Sequence, residues 1–478
     1  RCACVAAVCT MVLALAGPAL AADPADPRDF YVIPKIGVQE SFTDNALLTA
    51  ANTKMDAVTR FQAGGDAYVN TGRTKATING AVTYDQYTSN GKLSGWSLYG
   101  TGTGSYAIVP SALTLEAEGT VTNGTVSTFG TSAIDRAGTA GRVQLATYDI
   151  GPRYTTTLGD FADVNLLGRF AQVLYDAQRV SNTGILPSNS AILQFNGIMG
   201  TGTRFSGYEL TNDANYLQDD HGFKLYNDTQ SAFIGIVPHL RLILRGGYED
   251  VSQPGVVQIS APIASAGFEL SINQLSKITL EAGNRYNRPS WNADVFLQIS
   301  DRIYVTGRYF EILEPPQIQI SDSFSNFLNI GRQIPILPTT TNFAVTGNLY
   351  NQTSLNKTGE AHIVYRWQDD NIDLDVSWND QRFFPVNDHD RVLVGNASYF
   401  HQLAPDFGAM LRLFYAQTFA SPIYGANSGY GGELSLSYDL NSRMTARAGY
   451  AADQQTQTMP AHESISENIL FVSVERRM

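Results

Sequence analysis

From about residue 30 onward, apolar and polar residues alternate with a period of two. The stretch "IDLDVSWND" (372–380) shows the pattern: Ile372, Leu374, Val376 and Trp378 fall on one face of an extended chain, and Asp373, Asp375 and Ser377 on the other. Ala76, Ile78, Val82 and Tyr84 alternate in the same way with Thr77, Asn79, Thr83 and Asp85. Leu434, Leu436 and Tyr438 alternate with Glu433, Ser435, Ser437 and Asp439, and the rhythm continues through Met444, Ala446, Ala448 and Tyr450. No segment carries the 3.6-residue period of a long amphipathic helix. The elements predicted are β-strands throughout.

The connections between these strands are of two kinds. Short turns rich in Gly, Pro, Asn and Asp occur at Asn70-Thr71-Gly72-Arg73, Pro110-Ser111, Leu158-Gly159-Asp160, Gly200-Thr201-Gly202, Pro238-His239, Asn273-Gln274, Ser300-Asp301, Asp369-Asp370-Asn371, Pro405-Asp406 and Asn441-Ser442. Between consecutive short turns lie longer polar segments at 124–141, 176–190, 249–260, 420–431 and 453–464. Tight turns at one end and long loops at the other are the asymmetry of an outer-membrane barrel, with short periplasmic turns and long extracellular loops. Ten such turns, with both termini in the periplasm, give 22 strands, within a range of 20 to 24. The expected fold is therefore all-β: a closed antiparallel transmembrane β-barrel over residues 30–478. Closure removes the sheet edges, and the bilayer covers the apolar face. Ile372, Leu374, Val376 and Trp378 should then face lipid, and Asp373 and Asp375 the lumen. A soluble multi-domain β protein is the weaker alternative, and a β-helix weaker still, because no repeat of fixed length recurs.

One region breaks the rhythm. Residues 315–356, with "ISDSFSNFLNIGRQIPILPTTT", are too long and too apolar for an ordinary solvated loop. The reading favoured is an extracellular loop folded onto or into the barrel as a constriction; an extra hairpin, making 24 strands, is the alternative.

Composition supports export to a membrane. Residues 1–21 read as a secretory signal peptide: Arg1, an apolar run to Leu20, and a small-residue cleavage site at Ala19-Leu20-Ala21. Residues 22–29 are then a short periplasmic segment. No later stretch approaches the roughly 18 continuous apolar residues of a membrane helix. Charged residues make up 16% of the chain and aromatics 11%, with 24 Tyr and 23 Phe, which suits a lipid-facing wall with aromatic girdles. The only cysteines, Cys2, Cys4 and Cys9, lie inside the leader, leaving no disulfide, thiol nucleophile or cysteine metal site beyond it. A net charge of −12 argues against nucleic acid as a partner.

Candidate chemistry is sparse. None of the six histidines, His221, His239, His362, His389, His401 and His462, forms a metal-ligand pair, and no phosphate loop or dinucleotide fingerprint is present. No local nucleophile–base pattern supports catalysis, so no enzyme and no cofactor are expected. The lumen is expected to carry mixed charge, with Glu281, Asp373, Asp375, Glu433 and Asp439 facing Arg285, Arg443 and Arg447. Such charges can cancel across neighbouring strands and hold a wide barrel in shape, or tune what passes.

The last strand, "NILFVSVERRM", is similar to the assembly signal that ends outer-membrane barrels, apart from Met478 where an aromatic residue is usual. At the other end, "PKIGVQESFTDNALL" (34–48), with Glu40, Phe42, Thr43, Asp44 and Asn45, is followed by a hairpin over 66–84 that ends near Tyr84 and Tyr87. These stretches resemble a family of outer-membrane β-barrel proteins encoded in exopolysaccharide and exosortase-type secretion loci. A weaker likeness recurs at 361–384. The resemblance implies an outer-membrane barrel serving as a conduit or accessory for secreted polysaccharide. A general porin for small polar solutes, or a surface scaffold or adhesin with a blocked lumen, are the alternatives. A TonB-dependent receptor would share the strand count, but only residues 22–30 precede the first strand, too few for a plug domain.

Overall fold

The computed structural model describes residues 30–125, 142–160, 162–175, 188–199, 208–273, 275–315, 353–385, 388–420, 425–457 and 463–478. Twenty-two strands alternate up and down: β1 (Phe30–Thr43), β2 (Asp56–Asn70), β3 (Thr74–Tyr87), β4 (Gly95–Val109), β5 (Leu113–Thr125), β6 (Arg142–Leu158), β7 (Ala162–Tyr175), β8 (Ser188–Met199), β9 (Tyr208–Asp219), β10 (Lys224–Val237) and β11 (Leu240–Gln253). They continue as β12 (Val257–Ser271), β13 (Lys277–Arg285), β14 (Arg288–Ser300), β15 (Ile303–Glu314), β16 (Ser354–Arg366), β17 (Asp370–Phe383), β18 (His389–Ala404), β19 (Phe407–Ala420), β20 (Asn427–Asn441), β21 (Met444–Gln457) and β22 (Glu463–Arg477). Each pairs antiparallel with its neighbours in sequence, and β1 pairs with β22 from Lys35 opposite Arg477 to Thr43 opposite Ile469. The sheet therefore closes into an outer-membrane-type barrel without edges.

The turn chemistry explains why the chain reverses where it does. Nine of the ten turns expected on the periplasmic side join consecutive strands at that end; the tenth, at Gly200-Thr201-Gly202, lies outside the described residues. Gly159, Ser111 and His239 adopt positive φ at three of them, the conformation such reversals demand. On the extracellular side the segment 249–260 departs from expectation. Rather than a long loop it is the meeting of β11 and β12 at a tight turn, where Val256 N–H donates to the Gln253 carbonyl (3.0 Å) and Gly255 takes φ +74°. The 315–356 expectation is corrected in part: β15 and β16 pair directly from Ile303 opposite Tyr365 to Glu314 opposite Ser354, so no extra hairpin enters the wall, and residues 354–356 are strand. The constriction expected there falls on residues 316–352, outside those described.

Register carries the alternation around the whole cylinder. On the outer face, Tyr430, Leu434 and Leu470 are 51%, 55% and 55% exposed, as lipid-facing residues are. Toward the extracellular end this band is bordered by tyrosines whose hydroxyls donate to side-chain amides beside or just above them: Tyr148 to Gln172, Tyr216 to Gln218 (2.7 Å), Tyr415 to Gln417 (2.6 Å), Tyr430 to Gln454 (2.6 Å) and Tyr450 to Asn468 (2.5 Å). At the periplasmic end Tyr31 stacks on Tyr68 (5.2 Å) and Arg302 lies over Trp367 (3.7 Å). An apolar ring body with a polar tip suits each of these interfaces.

Glycines let aromatic rings lie flat on the inner wall. A Cβ on Gly431 would fall against the Phe414 ring and 2.5 Å from the Ala452 carbonyl oxygen. Gly431→Ala should therefore destabilise the barrel by about 1–3 kcal/mol, read as a lower denaturant midpoint in micelles. An unchanged midpoint would show that Phe414 and the β21 backbone at Ala452 can both move aside without loss.

Candidate functional site

The candidate site is the inner wall. Pairing register places Glu281, Arg285, Asp373, Asp375, Glu433, Asp439 and Arg447 on this face, whereas Arg443 lies in the turn between β20 and β21 and is no part of the wall. The wall carries charge in compensated groups. Lys35 meets Asp66 (2.6 Å), Arg60 grips Asp85 through Nε (2.6 Å) and Nη2 (3.0 Å), and Glu116 receives Arg153 (2.7 Å) and Arg169 (3.2 Å). Arg169 also reaches Asp149 (3.1 Å). Further round, Arg241 bridges Glu209 (3.1 Å) and Glu269 (2.6 Å), and Lys277 adds a second cation to Glu269 (2.5 Å). Arg245 holds Glu281 (3.0 Å), Arg285 holds Glu249 (3.0 Å), Arg366 holds Asp373 (2.8 Å), and Arg447 holds Glu433. Asp439 accepts from Thr445 (2.7 Å), while Asp375 faces His362 (3.6 Å) with its side chain half exposed to the lumen.

These pairings join residues on adjacent or next-adjacent strands, so each group bridges the staves of the barrel. Mixed, paired charge presents a polar surface to a solute without the field of a one-sign pore. Glu249 was not among the residues singled out from sequence, although it is fully buried and accepts from both Arg285 and the Tyr286 backbone N–H. Tyr286 in turn caps β15, its hydroxyl accepting from Leu313 N–H (3.2 Å).

The mouth is the second part of the site. Toward the extracellular end the inner-face side chains of β16 to β22 are shut away from water: Asn356, Gln381, Thr418 and Glu467 are each 1% exposed and Asp390 0%. The loop after β1 also turns inward there. Ala46 packs against Val58, Tyr87, Phe414, Ala451 and Ile469, with Leu93 of the next loop against the same cluster.

The stretch carrying the family resemblance builds this corner. Thr43 donates to Glu467 (2.7 Å), Asp44 accepts from the Asn468 backbone (2.8 Å) and side chain (2.7 Å), and Asn45 donates to the Thr49 and Ser466 carbonyls (2.9 Å each). Three consecutive residues thus lock the first strand to the last at the extracellular rim. Glu40 and Phe42 lie on the outer face, Glu40 accepting from Thr59 (2.7 Å) and Phe42 54% exposed. Tyr84 packs outward against Trp96 (4.8 Å), and Tyr87 is buried inward.

Asp56 ties the next loop down. Its carboxylate accepts from the backbone N–H groups of Ala57 (2.9 Å), Ser89 (2.8 Å) and Asn90 (2.9 Å) and from the Asn90 side chain (2.8 Å). Asp56→Ala should speed amide exchange at Ser89 and Asn90 roughly thirtyfold, as about 2 kcal/mol of local stability is removed, and leave the barrel strands protected. Unchanged exchange at both amides would mean the loop is held by other contacts.

Among the described residues no group of three or more His, Asp or Glu side chains is arranged to hold a metal ion. His221 sits against Asp220 (2.9 Å), His389 against Asp380 (3.3 Å) and His401 against Asp370 (2.8 Å), each a single pair; His239 occupies a turn, and His462 lies outside the described residues.

No family model and no curated protein matches the chain. Solved structures of like architecture include the ferric enterobactin receptor PfeA of Pseudomonas aeruginosa, at 10% identity and a TM-score of 0.48 over 94% of this chain and 80% of that one. The siderophore receptor PirA of Acinetobacter baumannii matches at 7% identity and a TM-score of 0.48 over 94% and 80%, and the copper transporter OprC at 10% and 0.43 over 94% and 81%. The likeness is one of fold: an outer-membrane β-barrel. The polysaccharide conduit, general porin and scaffold expected from sequence find no counterpart among these structures, which are receptors and a transporter, and are not carried forward.

Proposed function

We propose that the protein is a gated outer-membrane transporter that admits a particular small polar solute. The observation that carries this reading is the burial of the inner wall near the mouth. Side chains that would line a water-filled tube, Gln381, Asp390 and Glu467 among them, have no more than 1% of their surface exposed, and the loop after β1 turns in beside them, Ala46 packing against Phe414, Ala451 and Ile469. A steady pore would leave the polar side chains at its mouth wet. Compensated charge along the rest of the wall suits a solute with several polar groups, and the transporters of like fold accept small solutes. The apolar leader ending at Ala21 supports export to the outer membrane by a cleaved signal peptide.

The test is to reconstitute the protein in a planar bilayer and, separately, in proteoliposomes with a panel of small polar solutes. The expected result is no steady conductance at rest and saturable uptake of one chemical class that unlabelled solute of that class competes away. Removing the pins of the first loop, with Asp44→Ala and Asn45→Ala, should raise resting conductance at least tenfold. Large steady channels in the unaltered protein, sorting solutes by size alone, would sink the reading.

A further inference from the structure

On the outer face, at the extracellular end of β15 to β18, the neutral tyrosine–amide border gives way to charge. Register aligns Glu311, Lys357, Asp380 and Arg391 in one row across the four strands. The row directly beneath runs Tyr309, Gly359, Trp378 and Leu393, the upper edge of the apolar band. The charges therefore stand about 7 Å above the aromatic level, two residues along extended strands, at the depth of lipid headgroups. Arg382, its guanidinium over the Phe384 ring (6.0 Å), and His389 face each other one step higher.

Lys357 and Glu311 (3.7 Å), and Arg391 and Asp380 (3.3 Å), could be read as a row that merely neutralises itself. Exposure argues otherwise. The carboxylates are turned in: Glu311 is 1% exposed and already accepts from the Tyr309 hydroxyl (3.2 Å) and the Trp291 N–H (3.4 Å), and Asp380 is 17% exposed. The cations are turned out, Lys357 at 34% and Arg391 at 57%. What this rim shows its surroundings is positive, on a chain whose net charge is −12.

We propose that the outer rim formed by Lys357 and Arg391 binds the phosphate-bearing headgroup of an anionic membrane amphiphile, with the hydrocarbon chains lying along the band below Trp378. Guanidinium and ammonium groups bind phosphate oxygens directly, and each cation at this depth favours an anionic lipid. The site is on the outer face, so it stands or falls separately from the gated lumen.

Trp378 reports on it directly. With Trp96, Trp291 and Trp367 replaced by Phe, fluorescence quenching of Trp378 would be compared between vesicles of phosphatidylcholine doped with chain-brominated phosphatidic acid and with chain-brominated phosphatidylcholine. The expected result is about a fivefold or greater preference for phosphatidic acid, falling to near unity in Lys357→Gln/Arg391→Gln protein that still shows heat-modifiable gel mobility. Single Lys357→Gln protein, a milder change, should lose part of the preference if the double variant fails to fold. Equal quenching by the two lipids, a preference that survives these substitutions, or the same preference at a lone Trp96 on the far side of the barrel, would overturn the proposal.

Discussion

Glu249→Ala should lower the stability of the barrel by about 3–5 kcal/mol, the cost of leaving a charge partly buried without its partner. Glu249 is fully buried on the inner face of β11, where one carboxylate oxygen accepts from Arg285 Nε at 3.0 Å and the other from the Tyr286 backbone N–H. Its loss strands both donors. Arg285 would be left with the Glu311 carbonyl (3.3 Å) and its place over the Tyr286 ring (4.8 Å). The damage should spread, because β13 and β14 meet in a tight turn here, and Tyr286, buried at that turn, caps the Leu313 N–H of β15. Glu249→Gln keeps an acceptor for the Tyr286 amide and should cost about half as much. Replacing both members, with Glu249→Gln and Arg285→Met, should be milder than Glu249→Ala, since no uncompensated charge then remains. Urea midpoints in detergent micelles measure all three. A double variant less stable than Glu249→Ala would mean that the pair stabilises by more than charge compensation.

Why this pair had to be seen in the structure follows from what alternation encodes. A period of two says which residues share a face, so "IDLDVSWND" placed Trp378 outward and Asp373 inward, as the register of β17 does. Turn residues likewise marked the periplasmic reversals, because positive φ and a missing N–H are local demands. Partners across the wall are another matter. Arg285 and Glu249, like Arg245 and Glu281, are 36 residues apart and on strands that are not even neighbours in the sheet. Their meeting depends on the register of two successive hairpins, which one residue of slip would undo. Tight turns on the extracellular side, such as that at Gly255, were lost within polar segments that read as loops. Thr43, Asp44 and Asn45 stood out in the chain, but their partners lie at its other end, so their part in closing the barrel was invisible until β1 met β22.

The same chemical change, one added methyl group, should have opposite outcomes at two glycines. Gly151 lies on the inner face of β6, between Asp149 and Arg153, opposite Glu116 on β5. A Cβ there would fall into the Gly168 carbonyl oxygen and lie 2.9 Å from the Arg169 Cα. Neither is the far end of a flexible side chain, so β7 itself must shift. That shift would pull Arg169 from Glu116 (3.2 Å) and Asp149 (3.1 Å), and with them one of the charge groups that bridge the wall. Gly151→Ala should therefore cost about 4 kcal/mol or more, steric strain and a disrupted ion-pair network acting together. At Gly246, on the outer face of β11, a Cβ meets nothing within 4 Å. There the methyl group points into lipid, and the substitution should fall within about 0.5 kcal/mol of the parent. Heat-modifiable mobility and denaturant midpoints, taken side by side on the two variants, separate a clash of backbones from any general intolerance of added bulk. Equal losses at both positions would mean that the close approach of β6 and β7 does not govern the effect.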